Sequence, residues 1–285
     1  MDSKLTQPPD LLAVVLQLRA TQALTLTQHM GRALQRASLL MLNPEHATQI
    51  HDESDDPKPI TVSDVMKPGT PLPLRGKLIE GDTAWIRVTA LDAVTAAQLM
   101  AFTSNAQNEM IVIDNIPWQI VASASTPEEH PWAGQDTYAG LLRKFGSFQR
   151  VRDFSLHFAL PTVFKAPGLD NSTVFVPLPI PQQIFRSLRN RWNTFSPVSV
   201  PDEIYDFSGQ HIAISHFDYL RTQPVMLTKL FRGFTGTVAF DFVLPKQATP
   251  QQMMLAYAIL MLSEFAFYSG VGVKTTMGMG MVRPV

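Results

Sequence analysis

The first half of the chain alternates between short apolar runs and segments whose apolar residues follow a helical spacing. Asp92 precedes one such segment and is a favourable N-cap residue for it. A short helical turn from Glu45 to Ile50 leads into an acidic loop bounded by proline. The order strand, helix, strand, strand, helix, strand is typical of a ferredoxin-like unit. The pattern predicts strands at 11–18, 60–63, 83–90, 110–113 and 118–122, and helices at 28–42 and 92–102.

The second half of the chain repeats this order of elements. A proline favours the start of its first helix, and Thr249 with Pro250 favours the start of its second. We therefore predict an α+β fold of two tandem ferredoxin-like (RRM-like) βαββαβ domains, at 1–125 and 146–285, joined by a linker at 126–145. The pattern predicts strands at 154–159, 211–219, 235–244 and near Val282, and helices at 182–192 and from Thr249 to about Tyr268.

Composition indicates a folded chain with a real core. Hydrophobic residues make up 45% of the 285 residues and charged residues 16%. The absence of cysteine excludes disulfides and thiolate metal sites. The start of the chain lacks a basic stretch leading into an apolar one, and the apolar stretch 253–268 is short for a membrane span and carries Glu264. We expect a cytoplasmic protein with no membrane contact.

Charge is divided unevenly between the two halves. Residues 1–140 hold 9 Lys and Arg against 16 Asp and Glu, a net −7, whereas residues 141–285 hold 14 against 8, a net +6. Such an asymmetry favours one surface for polyanions and another that avoids them. Two domains that merely differ in surface charge would give the same numbers.

A glycine-rich segment, Gly270–Gly280, lies near the end of the sequence, with Lys274 at its centre. A dinucleotide fingerprint requires a strand before it and a helix after it, and a Walker loop ends in Gly-Lys-Ser/Thr, so neither motif fits. Backbone amides without side chains, together with one cation, suit phosphate oxygens. An ordinary glycine-rich hairpin is the alternative.

Three further stretches accompany this segment, in a fixed order along the chain. They are 31–35 with 47–52 and 59–63, then 158–164 with 177–179 and 187–193, then 233–238. The whole set resembles the CRISPR pre-crRNA-processing endoribonucleases, the sixth Cas family of the repeat-associated (RAMP) superfamily. The stretch SGVGVKTTMGMGMV looks like the glycine-rich loop of that superfamily. The resemblance implies two ferredoxin-like domains and no cofactor.

The resemblance also implies metal-independent RNA cleavage, in which the substrate's own 2′-hydroxyl is the nucleophile. Histidine suits the proton transfers near neutral pH, and a cation stabilises the charged phosphorane. His51 and Lys58, in or beside the polar loop, match positions where some members carry a catalytic histidine and lysine. Gln35 stands where many members have histidine or tyrosine, and glutamine cannot act as a base. The base is therefore His51 or, upstream, His29.

Basic residues of the second half are the predicted RNA contacts. Phosphate contacts of this kind give affinity without sequence choice. The predicted set is Arg186, Arg189, Arg191, Lys229, Arg232 and Lys274, with the glycines Gly270, Gly272, Gly278 and Gly280. The alternative role for each cation is surface solubility. His46 and His51 with nearby aspartates suggest a metal site only weakly, because histidines five apart do not share a helical face. We predict no metal.

The leading hypothesis is an endoribonuclease that cuts CRISPR repeat RNA to give guide crRNAs with 2′,3′-cyclic phosphate and 5′-hydroxyl ends. The alternative is a non-catalytic RNA-binding RAMP subunit of a CRISPR effector complex, which Gln35 keeps open. A third possibility is an unrelated two-domain protein with a glycine-rich tail. The expected partners are repeat RNA or crRNA and effector-complex proteins, and the expected state is a monomer or homodimer.

Overall fold

The computed structural model describes residues 8–52, 57–146, 151 and 153–285. Its strands are β1 Leu11–Ala20, β2 Leu24–Leu26, β3 Ile60–Val62, β4 Gly76–Leu78, β5 Thr83–Ala90, β6 Met110–Ile113, β7 Ile116–Ala124, β8 Gly134–Asp136, β9 Phe154–Thr162, β10 Phe164–Pro167, β11 Thr173–Val176, β12 Ile212–Met226, β13 Leu230–Phe242 and β14 Val282–Pro284. Its α-helices are α1 Gly31–Leu39, α2 Pro44–Asp52, α3 Ala93–Asn105, α4 Tyr138–Gly146, α5 Pro181–Phe195, α6 Ile204–His211 and α7 Pro250–Ser269.

Two antiparallel sheets organise these elements. The first has the order β3-β5-β1-β7-β6, and the second has the order β12-β13-β9-β14. In each, the first and third strands of a βαββαβ unit occupy the centre, as a ferredoxin-like domain requires. The helices of the two units are α1 with α3 and α5 with α7. The predicted α+β fold of two tandem ferredoxin-like domains is confirmed.

Strand β1 is buried on both faces, which explains its continuous apolar sequence. Leu12, Val14 and Leu16 pack into the core of the first domain. The alternate residue Leu11 joins the core of the second domain instead, and Val15 packs with Leu160 of β9. Because successive side chains of a strand point to opposite faces, one strand serves two cores. The two domains are therefore packed together along β1.

The second half departs from the predicted element bounds. Strand β12 runs to Met226, and β13 begins at Leu230, so the hairpin is longer than the predicted strands. Most of β12 is exposed on both faces, and so its sequence lacks the alternation that reveals a half-buried strand. His211 ends helix α6 and is not in a strand. Helix α7 begins at a capping box, in which Thr249 accepts from the amide of Gln252.

Residues 126–145, predicted as the linker, hold regular structure. Strand β8 pairs with the start of β1 and extends the first sheet. Helix α4 packs through Leu141 and Phe145 into the core of the second domain. The connection between the domains is thus part of both, while the domain bounds themselves stay a prediction. Among the described residues, no helix combines the length and apolar character needed to cross a membrane.

The buried side chain of Arg87, on β5, connects the first sheet to helix α7 of the second domain. Nε of Arg87 donates to the carbonyl of Trp132 at 2.7 Å, and a terminal nitrogen donates to that of Phe267, on α7, at 2.6 Å. Its guanidinium lies over the ring of Phe267, 4.4 Å from the centroid. Burial lowers the pKa of Arg87 to about 9.

Replacing Arg87 by alanine is expected to lower the free energy of unfolding by about 2–4 kcal/mol, because two buried carbonyls lose their donor and a cavity remains. Urea denaturation monitored by tryptophan fluorescence would measure the change. Arg19→Ala, which removes an exposed arginine from β1, is the matched control and should have little effect. Equal denaturation midpoints for the two variants would contradict an interdomain role for Arg87.

Candidate functional site

The glycine-rich segment follows α7 and uses backbone conformations that favour glycine. Gly270, Gly272, Gly278 and Gly280 have φ values of 63°, 83°, 76° and 71°. Lys274 adopts the left-handed conformation as well, with φ 63°, and precedes a short 3-10 turn at Thr275–Met277. Only glycine occupies this region at little cost. The backbone conformation of the segment therefore favours glycine at these four positions.

These four glycines are buried, and their close neighbours are other parts of the protein. A Cβ atom on Gly272 would lie 2.5 Å from the carbonyl oxygen of Val163, and one on Gly280 would lie 2.1 Å from that of Val271. A Cβ atom on Gly278 would lie 2.8 Å from the carbonyl oxygen of Ser63, in the first domain. Packing within the protein therefore accounts for glycine at these positions, while the predicted contact with RNA phosphate stays a prediction.

A histidine of the first domain holds the segment from the other side. Nε2 of His29 lies 2.8 Å from the carbonyl oxygen of Met277, and Nδ1 lies 2.8 Å from Oδ2 of Asp64. Both partner atoms are hydrogen-bond acceptors. The side chain of His29 is 6% exposed. His29 is thus a buried contact between the domains, with both ring nitrogens bonded within the protein, and its role as an alternative catalytic base stays a prediction.

Asp64 anchors this contact and was not foreseen from the sequence. Its carboxylate accepts from the backbone amides of Met30 and Val65 and pairs with Arg75. Burial raises the pKa of Asp64, but the hydrogen bond and charge of His29 and the charge of Arg75 outweigh burial and hold it below its usual value. One signal was available, because Asp64 is an acidic residue at the end of an apolar strand pattern.

Arg191, predicted to bind RNA, lies beneath the glycine-rich segment and is 8% exposed. Its guanidinium donates to the carbonyl of Gly272 at 2.6 Å and to the hydroxyl of Ser187 at 2.7 Å. The hydroxyl of Ser187 in turn accepts from the amide of Gly272 at 2.9 Å. Arg191 thus supports the segment from inside the second domain and also lines the cleft described below, and its contact with RNA stays a prediction.

The remaining predicted cations differ in their surroundings. Arg189 pairs with Asp202 at 2.7 Å and donates to the carbonyl of Val200. Arg186 is half-buried and donates to the carbonyl of Lys165 at 2.9 Å. Lys229 lies over the ring of Phe175, 4.6 Å from its centroid. Lys229 and Arg232, on the same hairpin, are exposed, and Lys274 is half-exposed. The charged groups of these three residues are therefore accessible to solvent.

The predicted catalytic pair His51 and Lys58 is brought together at the end of α2. The side chain of His51 is 76% exposed, and its Nδ1 lies 3.2 Å from the carboxylate of Asp52. Nζ of Lys58 donates to the carbonyls of Ile50 and, at 3.2 Å, of His51. Residues 53–56 of the intervening loop lie outside the described residues. Gln35 is half-buried on α1, and no described side-chain contact joins it to this pair.

A cleft, which we call the first cleft, lies between Pro57 and basic residues of the second domain. Its volume is about 630 Å³, within the usual range for ligand sites. Pro57, next to Lys58, forms one edge, and Lys165, Arg186 and Gly272 line the opposite side. The cleft thus borders predicted RNA-binding residues of the second domain and the neighbour of a predicted catalytic residue of the first.

The described residues contain no cluster of three or more histidine and carboxylate side chains that could hold a metal ion. Nε2 of His46 lies 2.9 Å from the hydroxyl of Thr95, so it is already engaged in a hydrogen bond within the protein. Asp55 and Asp56, which the weak metal interpretation included, lie outside the described part of the chain.

Residues 156–282 match the family model for CRISPR-associated endoribonuclease Cas6. Two curated relatives carry the same description. The protein of Mycobacterium tuberculosis (strain ATCC 25618 / H37Rv) is 28% identical over 151 residues, 52% of this chain and 44% of the relative. That of Streptococcus thermophilus is 26% identical over 145 residues, 50% of this chain and 55% of the relative. The chain thus matches about half the length of these relatives.

Solved structures extend the likeness to nearly the whole chain. A Cas6 product complex has a TM-score of 0.74 and 27% identity and covers 96% of this chain and 99% of its own. A Cas6 substrate mimic complex has a TM-score of 0.69 and 26% identity, with the same coverage. Thermus thermophilus Cas6, with a TM-score of 0.70 and 24% identity over 98% of this chain and 100% of its own, shares the fold.

The fold and the glycine-rich segment define a tandem ferredoxin-like protein. The matches in sequence and in structure confirm the predicted resemblance to the Cas6 endoribonucleases.

Proposed function

We propose that this protein is a metal-independent endoribonuclease that cleaves CRISPR repeat RNA to release guide crRNAs. The observation that carries the proposal is the first cleft, which is lined by Pro57, next to Lys58, and by Lys165 and Arg186 of the second domain. Relatives described as Cas6 endoribonucleases, together with a similar Cas6 solved both with a substrate mimic and with product, support the same activity. They offer no support for a non-catalytic effector subunit.

In the proposed reaction His51 accepts the proton of the 2′-hydroxyl at the scissile nucleotide. The 2′-oxygen attacks the adjacent phosphorus, the bond from phosphorus to the 5′-oxygen breaks, and that oxygen takes up a proton. The products are a 2′,3′-cyclic phosphate and a 5′-hydroxyl. The exposed, loop-bordering position of His51 allows this approach.

Lys58 is the proposed stabiliser of the phosphorane. A lysine ammonium has three N–H donors, and two of those of Lys58 are directed to backbone carbonyls. These contacts fix the position of the charge and leave one donor for a phosphate oxygen. Gln35 is proposed to orient substrate by hydrogen bonding, since its amide cannot take up a proton.

Arg186, Lys229, Arg232 and Lys274 are the proposed phosphate contacts, because they carry charge at the first cleft or outward from the second domain. We propose that the protein acts on RNA in the cytoplasm, as a monomer or homodimer. Proteins of the effector complex are its further proposed partners.

Cleavage of the host's CRISPR repeat RNA is expected to continue at an unchanged rate in excess EDTA and to stop when the scissile nucleotide is 2′-deoxy. The reason is that the nucleophile belongs to the RNA and no metal is used. End-group analysis of the fragments should show 2′,3′-cyclic phosphate. Loss of cutting in EDTA would refute the metal-independent mechanism, and tight binding without turnover at protein excess would favour the non-catalytic subunit.

A further inference from the structure

A second cleft lies between the domains, on the other side of the glycine-rich segment. It is bordered by α1, by the turn between β6 and β7 and by the tip of the β12–β13 hairpin, and its volume is about 580 Å³. Met277 of the glycine-rich segment contacts His29, which lines this cleft, while Gly272 lines the first cleft. The segment, with half-exposed Lys274 between these two residues, therefore connects the two clefts.

Two arginines of the acidic domain line the second cleft. Arg32 and Arg36 are one helical turn apart on α1, so they share a face, and both are exposed. Within the described residues neither has an ion-pair partner, whereas Arg75 and Arg189 each pair with an aspartate. A forked guanidinium is well suited to phosphate oxygens. Asp114, at the opposite rim, is exposed and lies on the β6–β7 turn.

Exposed apolar side chains lie in the same cleft. Leu40 is 77% exposed, Val112 53% and Met226 58%; Leu40 directly follows α1, and the other two lie on β6 and β12. Duplex RNA would offer mainly phosphates and sugars to this surface, leaving the apolar side chains without partners. A single strand offers phosphates together with the faces of unstacked bases. The combination of two unpaired cations and three apolar side chains fits a single strand.

We propose that the second cleft binds a single-stranded segment of the RNA, with Arg32 and Arg36 on phosphates and Leu40, Val112 and Met226 against bases. The inference rests on the proposed function, since it assigns part of the same RNA. The strand would pass from the first cleft over Lys274 to the second. The net −7 of the first half thus conceals a local cationic site.

The test is equilibrium binding of two probes across a range of salt concentrations: a single-stranded oligouridine and a blunt RNA duplex. R32Q/R36Q is compared with the matched control R19Q/K77Q, which removes two exposed cations of the same domain outside the cleft. For oligouridine, we expect R32Q/R36Q to weaken binding about tenfold or more and to reduce the slope of log K against log salt by about 1.4. The control should change neither, and affinity for the duplex should be unaltered.

The outcomes separate this inference from the proposed function. If R32Q/R36Q binds oligouridine like the control while the wild-type protein binds RNA and cuts it, the second cleft serves another partner, such as a protein, and the inference is overturned alone. Equal losses for oligouridine and duplex would overturn the single-strand assignment. A wild-type protein without RNA affinity would overturn both. R32K/R36K, which keeps the charge, should recover most of the salt slope.

Discussion

Cleavage of repeat RNA by His51→Ala is expected to be about 100- to 10,000-fold slower than by the wild-type protein, with RNA affinity nearly unchanged. The loss follows from removing the group that takes the 2′-hydroxyl proton, and the affinity persists because phosphate contacts come from other residues. Single-turnover cleavage at saturating protein measures the chemical step, and binding of a 2′-deoxy-blocked repeat measures affinity.

His46→Ala is the matched control for this prediction. His46 lies on the same helix as His51, but its Nε2 is bound to the hydroxyl of Thr95. Its loss should therefore alter stability slightly and leave the cleavage rate within about threefold of wild type. If His51→Ala cut at the wild-type rate, His51 would have no place in the mechanism. The proton transfer would then need another group near Lys58.

Gly280→Ala should be among the most damaging single substitutions in the chain. The residue has φ 71°, and a Cβ atom would lie 2.1 Å from the carbonyl oxygen of Val271. A non-glycine residue in this conformation costs about 1–3 kcal/mol, and the steric overlap adds about 1–3 kcal/mol. Urea denaturation should show the loss in the free energy of unfolding, and RNA cleavage should fall in parallel because the glycine-rich segment is displaced.

Gly69→Ala separates the two causes. Gly69 has nearly the same φ, 68°, but no atom lies within 4 Å of the position that its Cβ would take. It should therefore lose only the backbone contribution. If both variants unfolded at the same urea concentration, packing of the glycine-rich segment would contribute nothing measurable.

Local sequence patterns were sufficient for much of the fold. The predicted strands 83–90 and 110–113 have the observed bounds, and Asp92 caps α3 as predicted. Their periodicities are clear because each element buries one side or both. Helix α4 lies largely within the segment predicted as a linker, although Tyr138, Leu141 and Phe145 have the spacing of one buried helical face. Strands β10 and β11, of four residues each, are too short to give a comparable signal.

The arrangement of the candidate site was harder to predict from sequence patterns. Composition and resemblance pointed to the glycine-rich segment, His51 and Lys58, but could not tell which cations face outward. Arg191 and Arg186 lie on one helix, look alike in sequence and both line the first cleft, yet Arg191 is buried under the glycine-rich segment and Arg186 is half-buried. That distinction depends on contacts between residues far apart in the chain. Arg32 and Arg36 were missed because their domain is acidic overall.

The packing of the glycine-rich segment on the first domain limits how the two domains can diverge. A Cβ atom on Gly31 would lie 1.8 Å from the carbonyl oxygen of Met277, and one on Gly278 would lie 3.0 Å from Cα of Gly31. Each glycine thus allows close approach to the backbone of the other domain, across nearly the whole length of the chain. Recombination that exchanged one domain between related genes would place unmatched surfaces at this contact. The two domains must therefore be inherited, or redesigned, as a pair.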